Sequence, residues 1–399
     1  MQNAPAAGSA REVLLAFLRL GCISFGGPIA HLGYFRSELV ERRQWCTEES
    51  FAEIVALAQS MPGPASTQVA FTLGLLRARW AGGLAAWAGF SLPSALLMLG
   101  FAFSHDFLTG TAGLAVINAL QLVAVAVVAQ AILALQRSLA PDRLRFSFAL
   151  IATAIVLFAP ASLGTVLAIG VCALSGWLLI RPEDAGHIQP LQTGISRRAG
   201  WMAAGAALIL LLGLPIGAAV SGSQSLSVVD AFYRTGSLVF GGGHVVLPLL
   251  ENAVVARGWV KEQSFLAGYG AAQAIPGPLF TFSAYLGASI KPSPNPFLYG
   301  ALALIAIFLP GLLVMIAVLP FWQTLREKRP IQASLRGVNA GVVGVLIAAF
   351  FQPVWTTTIH TRLDFFLSLT AFSLLTLWRL PSWMIVLAAA SSAYVTAIL

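Results

Sequence analysis

Two stretches of this chain spell nearly the same message. Residues 16–27 read AFLRLGCISFGG and residues 231–242 read AFYRTGSLVFGG, an offset of 215. Downstream, Trp45, Ser50, Phe51, Ala58, Gln59 and Pro62-Gly63-Pro64 recur as Trp259, Ser264, Phe265, Ala272, Gln273 and Pro276-Gly277-Pro278, now at 214. Leu92-Pro93 matches Leu309-Pro310 at 217, and Asn118-Ala119 matches Asn339-Ala340 at 221. Small loop insertions produce such a drift. Duplicated halves in an apolar chain are the sequence mark of a secondary transporter.

The solvent follows from composition. Hydrophobic residues make up 58% of 399 positions, charged residues only 10%, and mean hydropathy is +0.84. A water-soluble fold does not have that balance. Segments 80–103, 112–135, 199–222, 296–322, 337–359 and 380–399 contain no Asp, Glu, Lys or Arg. Each is long enough to cross a hydrocarbon core of about 30 Å as a helix. The uncharged run 146–180 is punctuated by Pro160 and reads as two short spans. The segments lack the alternation of barrel strands, so the predicted class is an all-α polytopic membrane protein. Arg11, Glu12 and Arg19 interrupt any apolar core of a cleavable signal. Three cysteines without CxxC or histidine spacing read as apolar filler, and no metal or cofactor is expected. The net charge of +8 fits the positive-inside bias of membrane proteins and calls for no nucleic acid.

Loops made equivalent by the repeat carry their charge differently. Segment 104–111 has no Lys or Arg, while 321–332 has Arg326, Lys328 and Arg329; segment 136–146 has Arg137, Arg143 and Arg145, while 353–362 has only Arg362. The basic loop has moved by one crossing, so the halves are expected to lie upside down relative to each other. The expected division is a first repeat at 1–180, a cytoplasmic linker at 181–198, an extra crossing at 199–222 that performs the inversion, and a second repeat at 223–399. Parity then makes 47–79 enter and leave on one side, with Pro62-Gly63-Pro64 at its tip. Segment 10–43 does the same around Phe25-Gly26-Gly27-Pro28. Proline starts helices and glycine turns sharply, so these read as breaks between half-helices. Kinked but fully spanning helices are the alternative.

Such breaks suit an anion, because half-helices beginning at Pro28, Pro64 and Pro278 aim free N–H groups and positive dipole ends at the bilayer middle. Gly26, Gly27, Gly63, Gly241, Gly242, Gly243 and Gly277 let backbone approach an oxyanion closely. Arg19 and Arg234 precede the breaks at matching places, and a guanidinium can hold two oxygens of a tetrahedral oxyanion. Snorkelling to headgroups is the bland reading of both. Gln59 and Gln273, three residues before Pro62 and Pro276, either donate to the anion or cap broken backbone. His31, His244 and Glu53 are candidate proton carriers; Glu53 has Ala267 as its repeat partner. Paired carboxylates, a Ser/His/Asp set, metal spacing and a P-loop are all missing, which argues against an intramembrane enzyme or an ATP-driven pump.

Two halves, each with an FGG break, a W…F…AQxxPGP segment and following LP and NA helices, resemble the bacterial chromate ion transporter family in its long two-domain form. The resemblance covers nearly the whole chain. It implies an inner-membrane, proton-driven exporter that confers chromate resistance, with sulfate as the isostructural analogue, and a sulfate or other oxyanion transporter as the alternative. Expected partners are the oxyanion, the lipid bilayer and a second copy in a possible homodimer. The resemblance carries substrate binding to Phe25, Gly26, Gly27, Pro28, Pro62, Gly63, Pro64 and their second-half counterparts. One departure is visible: Phe240-Gly241-Gly242-Gly243-His244 has no proline after its glycines.

Overall fold

The computed structural model describes residues 8–25, 27–104, 110–159, 161–181, 194–240, 246–291, 293, 295–326 and 328–398, and these residues form helices and turns without a strand. The first half comprises α1 (Ala10–Ile23), α2 (Gly27–Phe35), α3 (Glu48–Ser60), α4 (Ala65–Ser104), α5 (Thr111–Leu139), α6 (Arg143–Phe158) and α7 (Ala161–Leu179). Next comes α8 (Arg197–Ser221). The second half holds α9 (Gln224–Leu238), α10 (Val246–Val254), α11 (Glu262–Ala272), α12 (Phe282–Ser289), α13 (Pro296–Val318), α14 (Trp322–Arg326), α15 (Arg329–Ala349), α16 (Thr356–Thr358), α17 (Arg362–Thr376) and α18 (Ser382–Ile398).

Polar side chains start many of these helices. Ser9, Thr47, Asp142, Ser196, Ser223 and Asn295 each accept a hydrogen bond from a first-turn N–H, and Thr361 forms a capping box with Asp364. Each satisfies one of the donors a helix start leaves free.

The breaks are tips of helical hairpins. In the first half, α3 runs to Met61, the chain turns through Pro62-Gly63-Pro64, and residues 65–77 come back until the Arg77 guanidinium lies over the Trp45 ring at 5.5 Å. In the second, α11 ends before Pro276-Gly277-Pro278, and the returning arm ends where the Lys291 N–H donates to the Trp259 carbonyl at 3.1 Å. Lys291 and Trp259 are the repeat partners of Arg77 and Trp45, so both hairpins close the same way. The α1–α2 hairpin likewise folds back, with the Phe17 and Phe35 rings 5.5 Å apart. At its base, Glu38 is pushed up by burial, but Arg43 and Arg42 outweigh this and hold its carboxyl below the usual range.

Long helix α4 is itself two arms. Ala78 and Arg79 leave helical geometry (Arg79 at φ 53°), and Gly74 packs face to face on Gly82. Only glycines let two helix backbones come that close, which makes the reversal into the long arm 80–104 possible. That arm runs from Trp80 to Phe103, whose ring stacks on Phe297 at 4.4 Å, at the start of α13. Helix α13 runs back toward α14, where the Trp322 indole N–H donates to Glu53 Oε2 on α3 at 2.8 Å. The equivalent long helices of the two halves therefore point in opposite directions.

The halves also exchange their last hairpins. Helices α6 and α7 pack on α15, with Gly176 against Gly337 and the Thr153 hydroxyl donating to Gly344 O at 3.0 Å. Helices α17 and α18 pack on α5, where Ser368 donates to Leu122 O at 3.1 Å and Gln130 to Leu375 O at 3.2 Å. Helix α8 is outside this exchange. It presents Trp201, Met202, Ile209 and Val220 as exposed apolar surface, the pattern of a helix facing lipid.

Candidate functional site

Hydrogen bonds between hairpin tips join the halves twice, in the same way. The Gly277 N–H donates to Ser24 O at 2.8 Å, and the Gly63 N–H donates to Val239 O at 2.7 Å. Ser24 and Val239 are repeat partners, as are Gly63 and Gly277. Each PGP tip of one half thus meets the residue that precedes the Phe-Gly-Gly motif of the other. Both glycines need backbone closed to other residues, with φ of +121° at Gly63 and +99° at Gly277. A Cβ at Gly63 would lie 2.7 Å from Gly311 Cα; one at Gly277 would lie 2.8 Å from Ser94 Oγ. Gly311 and Ser94 are again partners, each next to the proline of an LP helix.

At the first junction, Gly27 opens α2 with φ +80°, and Gly27, Pro28, Gln273, Gly277 and Ser382 line a cavity of about 20 Å³. That is room for one water-sized group. Phe25 leans on Trp383 with ring centroids 5.5 Å apart. Ser382 donates to the Gln273 carbonyl at 3.2 Å, while Gln273 Nε2 is buried without an acceptor. Ser24, His31 and Ser91 are almost fully buried, and the Ser24 and Ser91 hydroxyls and both His31 ring nitrogens have no hydrogen-bond partner. The His31 ring meets Phe90 edge-on at 5.3 Å and lies against the Ser24 backbone. Ser94 donates to Ser91 O at 3.1 Å.

The second junction is closed by Gln68, whose Nε2 donates to Pro62 O at 2.7 Å and to Gly311 O at 3.0 Å. Pro64 packs on Gly311 beside it. The repeat partner of Gln68 is Phe282, so the first junction has no such clamp. At the second-half tip, Pro276 precedes the turn and Pro278 O accepts from the Thr281 hydroxyl at 2.8 Å.

The remaining candidates are dispersed. Arg19 is exposed on the same helix as exposed Leu15 and Leu18 and forms no described hydrogen bond or ion pair. Arg234 directs its fork at Asp230 on its own helix, with Nε to Oδ1 at 2.8 Å, and Asp230 is buried. Leu15 occupies the place of Asp230 in the first half, so the two repeated arginines have different surroundings. Gln59 is exposed, away from the cavity, whereas its partner Gln273 is inside it. Glu53 is buried and engaged by Trp322. Gly26, Gly241, Gly242, Gly243 and His244 lie outside the described residues. Sequence reasoning passed over Ser24, Ser91, Ser94 and Ser382, although Ser24 stands inside the first repeated motif. Among the described residues no group of three His, Cys, Asp or Glu is placed to hold a metal.

A family profile described as "Chromate transporter" matches residues 11–177 and again 226–394. The chain is 28% identical over 346 residues to the chromate transport protein of Pseudomonas aeruginosa, covering 84% of this chain and 79% of that protein. It is 28% identical over 349 residues to the chromate transport protein of Cupriavidus metallidurans, covering 85% and 81%. With a probable chromate transport protein of Synechococcus elongatus it shares 26% identity over 395 residues, covering 93% and 91%. No solved structure matches the chain.

Proposed function

The chain belongs to the chromate transporter family, and from that premise we propose that it is a secondary active transporter that exports chromate across the bacterial inner membrane in exchange for protons, conferring chromate resistance. The observation that carries this reading is the pair of cross-half junctions, Gly277 to Ser24 and Gly63 to Val239. Broken helices meeting between repeats are where secondary transporters hold substrate. Non-helical backbone at membrane depth is tolerated only where protein buries it or it lines a wet cavity. At the first junction the tip backbone is enclosed by protein and borders a small cavity, which supports this reading.

In this reading residues 1–180 and 223–399 are the two membrane repeats, 181–198 is a cytoplasmic linker, and α8 provides the extra crossing that inverts the second repeat. The tips then enter from opposite faces and meet near the bilayer middle, so rocking one set of hairpins against the other opens the junction to alternate sides. Substrate handling falls to the tip residues around Phe25, Gly27, Pro28, Gln273 and Pro276-Gly277-Pro278, with His31 and Glu53 as proton carriers. The test is counterflow in proteoliposomes with labelled chromate and sulfate, with and without an imposed pH gradient. Chromate flux that follows the gradient is expected, with sulfate competing. Sulfate flux without chromate flux changes the substrate; flux indifferent to the gradient removes proton coupling.

A further inference from the structure

The repeat makes the two junctions equivalent in backbone, yet the side chains around them differ. Ser24, His31, Ser91 and Ser94 surround the first junction; at the same offsets the second has Val239, Val246, Phe308 and Gly311. Every polar group of the first set is replaced by an apolar residue or glycine. At 215, the partner of His31 is Val246, so His244 does not restore the symmetry.

Hydrogen bonding follows the same division. Among the described residues, three donors at the first junction are buried without partners: the Ser24 and Ser91 hydroxyls and Gln273 Nε2, with the His31 ring lying against the Ser24 backbone beside them. A buried donor left unsatisfied costs roughly 1–3 kcal/mol, so several together call for a ligand that satisfies them. Among the described residues, the second junction has an unpartnered hydroxyl, Thr67, and the unpartnered Gln68 Oε1, an acceptor that repels anions. Its free backbone carbonyls are instead clamped by the Gln68 amide.

We propose that the oxyanion is held at the first junction only, by Ser24, Ser91 and Gln273 with His31 beside them, and that the second junction is a structural pivot closed by Gln68. This rests on the reading of the chain as an oxyanion transporter and assigns its seat. Helix α2, which begins at Gly27, adds the free N–H groups and positive dipole end of its first turn. Three neutral donors with a helix terminus suit an oxyanion with acceptors on every side. The cavity of about 20 Å³ is lined by Gly27, Pro28, Gln273, Gly277 and Ser382 but not by Ser24, Ser91 or His31, and it is smaller than a tetrahedral oxyanion, so loading requires it to widen toward those side chains. Ser382 contributes to that change, because its bond to the Gln273 carbonyl ties the tip to α18.

The purified full-length protein, checked for folding by size exclusion, is titrated with chromate and separately with sulfate, and reconstituted for counterflow. Gln273→Leu and the double variant Ser24→Ala/Ser91→Ala are each expected to weaken chromate binding by roughly tenfold or more, as befits lost hydrogen bonds to a charged ligand. Gln273→Glu keeps the shape, places a negative charge in the seat and should weaken binding further. It serves if the leucine variant misfolds. Gln68→Leu is expected to keep wild-type affinity for the anion. Wild-type affinity in Gln273→Glu, or an equal loss in Gln68→Leu, overturns the single seat. Binding by the wild type without counterflow overturns the transport reading while the variants still judge the seat; no binding of either anion overturns both.

Discussion

The Gly277–Ser24 junction and the Gly63–Val239 junction share a backbone plan and differ in what surrounds it. At one, a cavity and unpartnered donors lie under the tip; at the other, a buried amide fills the space and bonds to two carbonyls. A duplicated fold thus permits a division of labour. One tip can be closed for stability because the other remains available for a ligand.

The strongest challenge to that comparison is a side chain at the closed tip. Gly63→Val combines a left-handed φ with a collision against Gly311 Cα, for which nothing flexible can yield. Strain of about 1–2 kcal/mol from φ and about 1–3 from overpacking should together remove most folded protein. Gly277→Ala also meets a positive φ (+99°) but a movable Ser94 hydroxyl, so more folded protein should survive, with transport lost. Yield after size exclusion, alongside counterflow, checks both.

Replacing all of Pro276-Gly277-Pro278 by alanine should cost chromate binding at least tenfold. Proline costs roughly 3 and glycine about 1 kcal/mol inside a helix, so alanines favour a continuous helix without a free end. The same replacement at Pro62-Gly63-Pro64 should mainly destabilise the fold. Binding that survives the first triple change, with transport lost, makes that tip a hinge.

The arginines sharpen the comparison next. Arg234→Ala leaves the buried Asp230 carboxylate without its fork and is expected to destabilise by about 1–3 kcal/mol, seen as a lower melting temperature. Arg19→Ala breaks no described bond and should change stability by less than about 0.5 kcal/mol. Transport by the Arg19 variant at the wild-type rate assigns that arginine to the headgroups rather than to substrate.

The smallest perturbation tests orientation. Pro141→Cys and Arg362→Cys place thiols at exposed positions next to turns that the repeat makes nearly equivalent. A membrane-impermeant maleimide added outside spheroplasts should label position 362 and leave 141 untouched. Labelling of both from one side refutes opposite orientation of the halves.

How far these features were readable varies by element. Helix α8, the pair α6 and α7, and the breaks at Pro62-Gly63-Pro64 and Pro276-Gly277-Pro278 follow from uncharged runs and proline-glycine punctuation, which are local properties. The hairpin at Arg79 was implied only by parity, since the face-to-face packing of Gly74 and Gly82 is a contact eight residues apart. The site was harder to read. Gln59 and Gln273 are one motif in sequence, and equal motifs predict equal roles; the structure leaves one exposed and puts the other in the cavity.

The sequence alone determined the solvent, the all-α class, the duplication and the position of each break, because hydropathy, periodicity and the backbone limits of proline and glycine act within a few residues. Tertiary structure decided that tips pair across halves rather than within them, that α6–α7 and α17–α18 change partners, that Asp230 occupies Arg234, and that one junction is clamped by Gln68. Apart from the Asp230–Arg234 pair on one helix, those depend on residues 161 to 253 positions apart meeting in space, such as Gly176 with Gly337 and Gly277 with Ser24. A repeat fixes the backbone frame of such encounters, but the side chains that fill it are free to differ, and here they do.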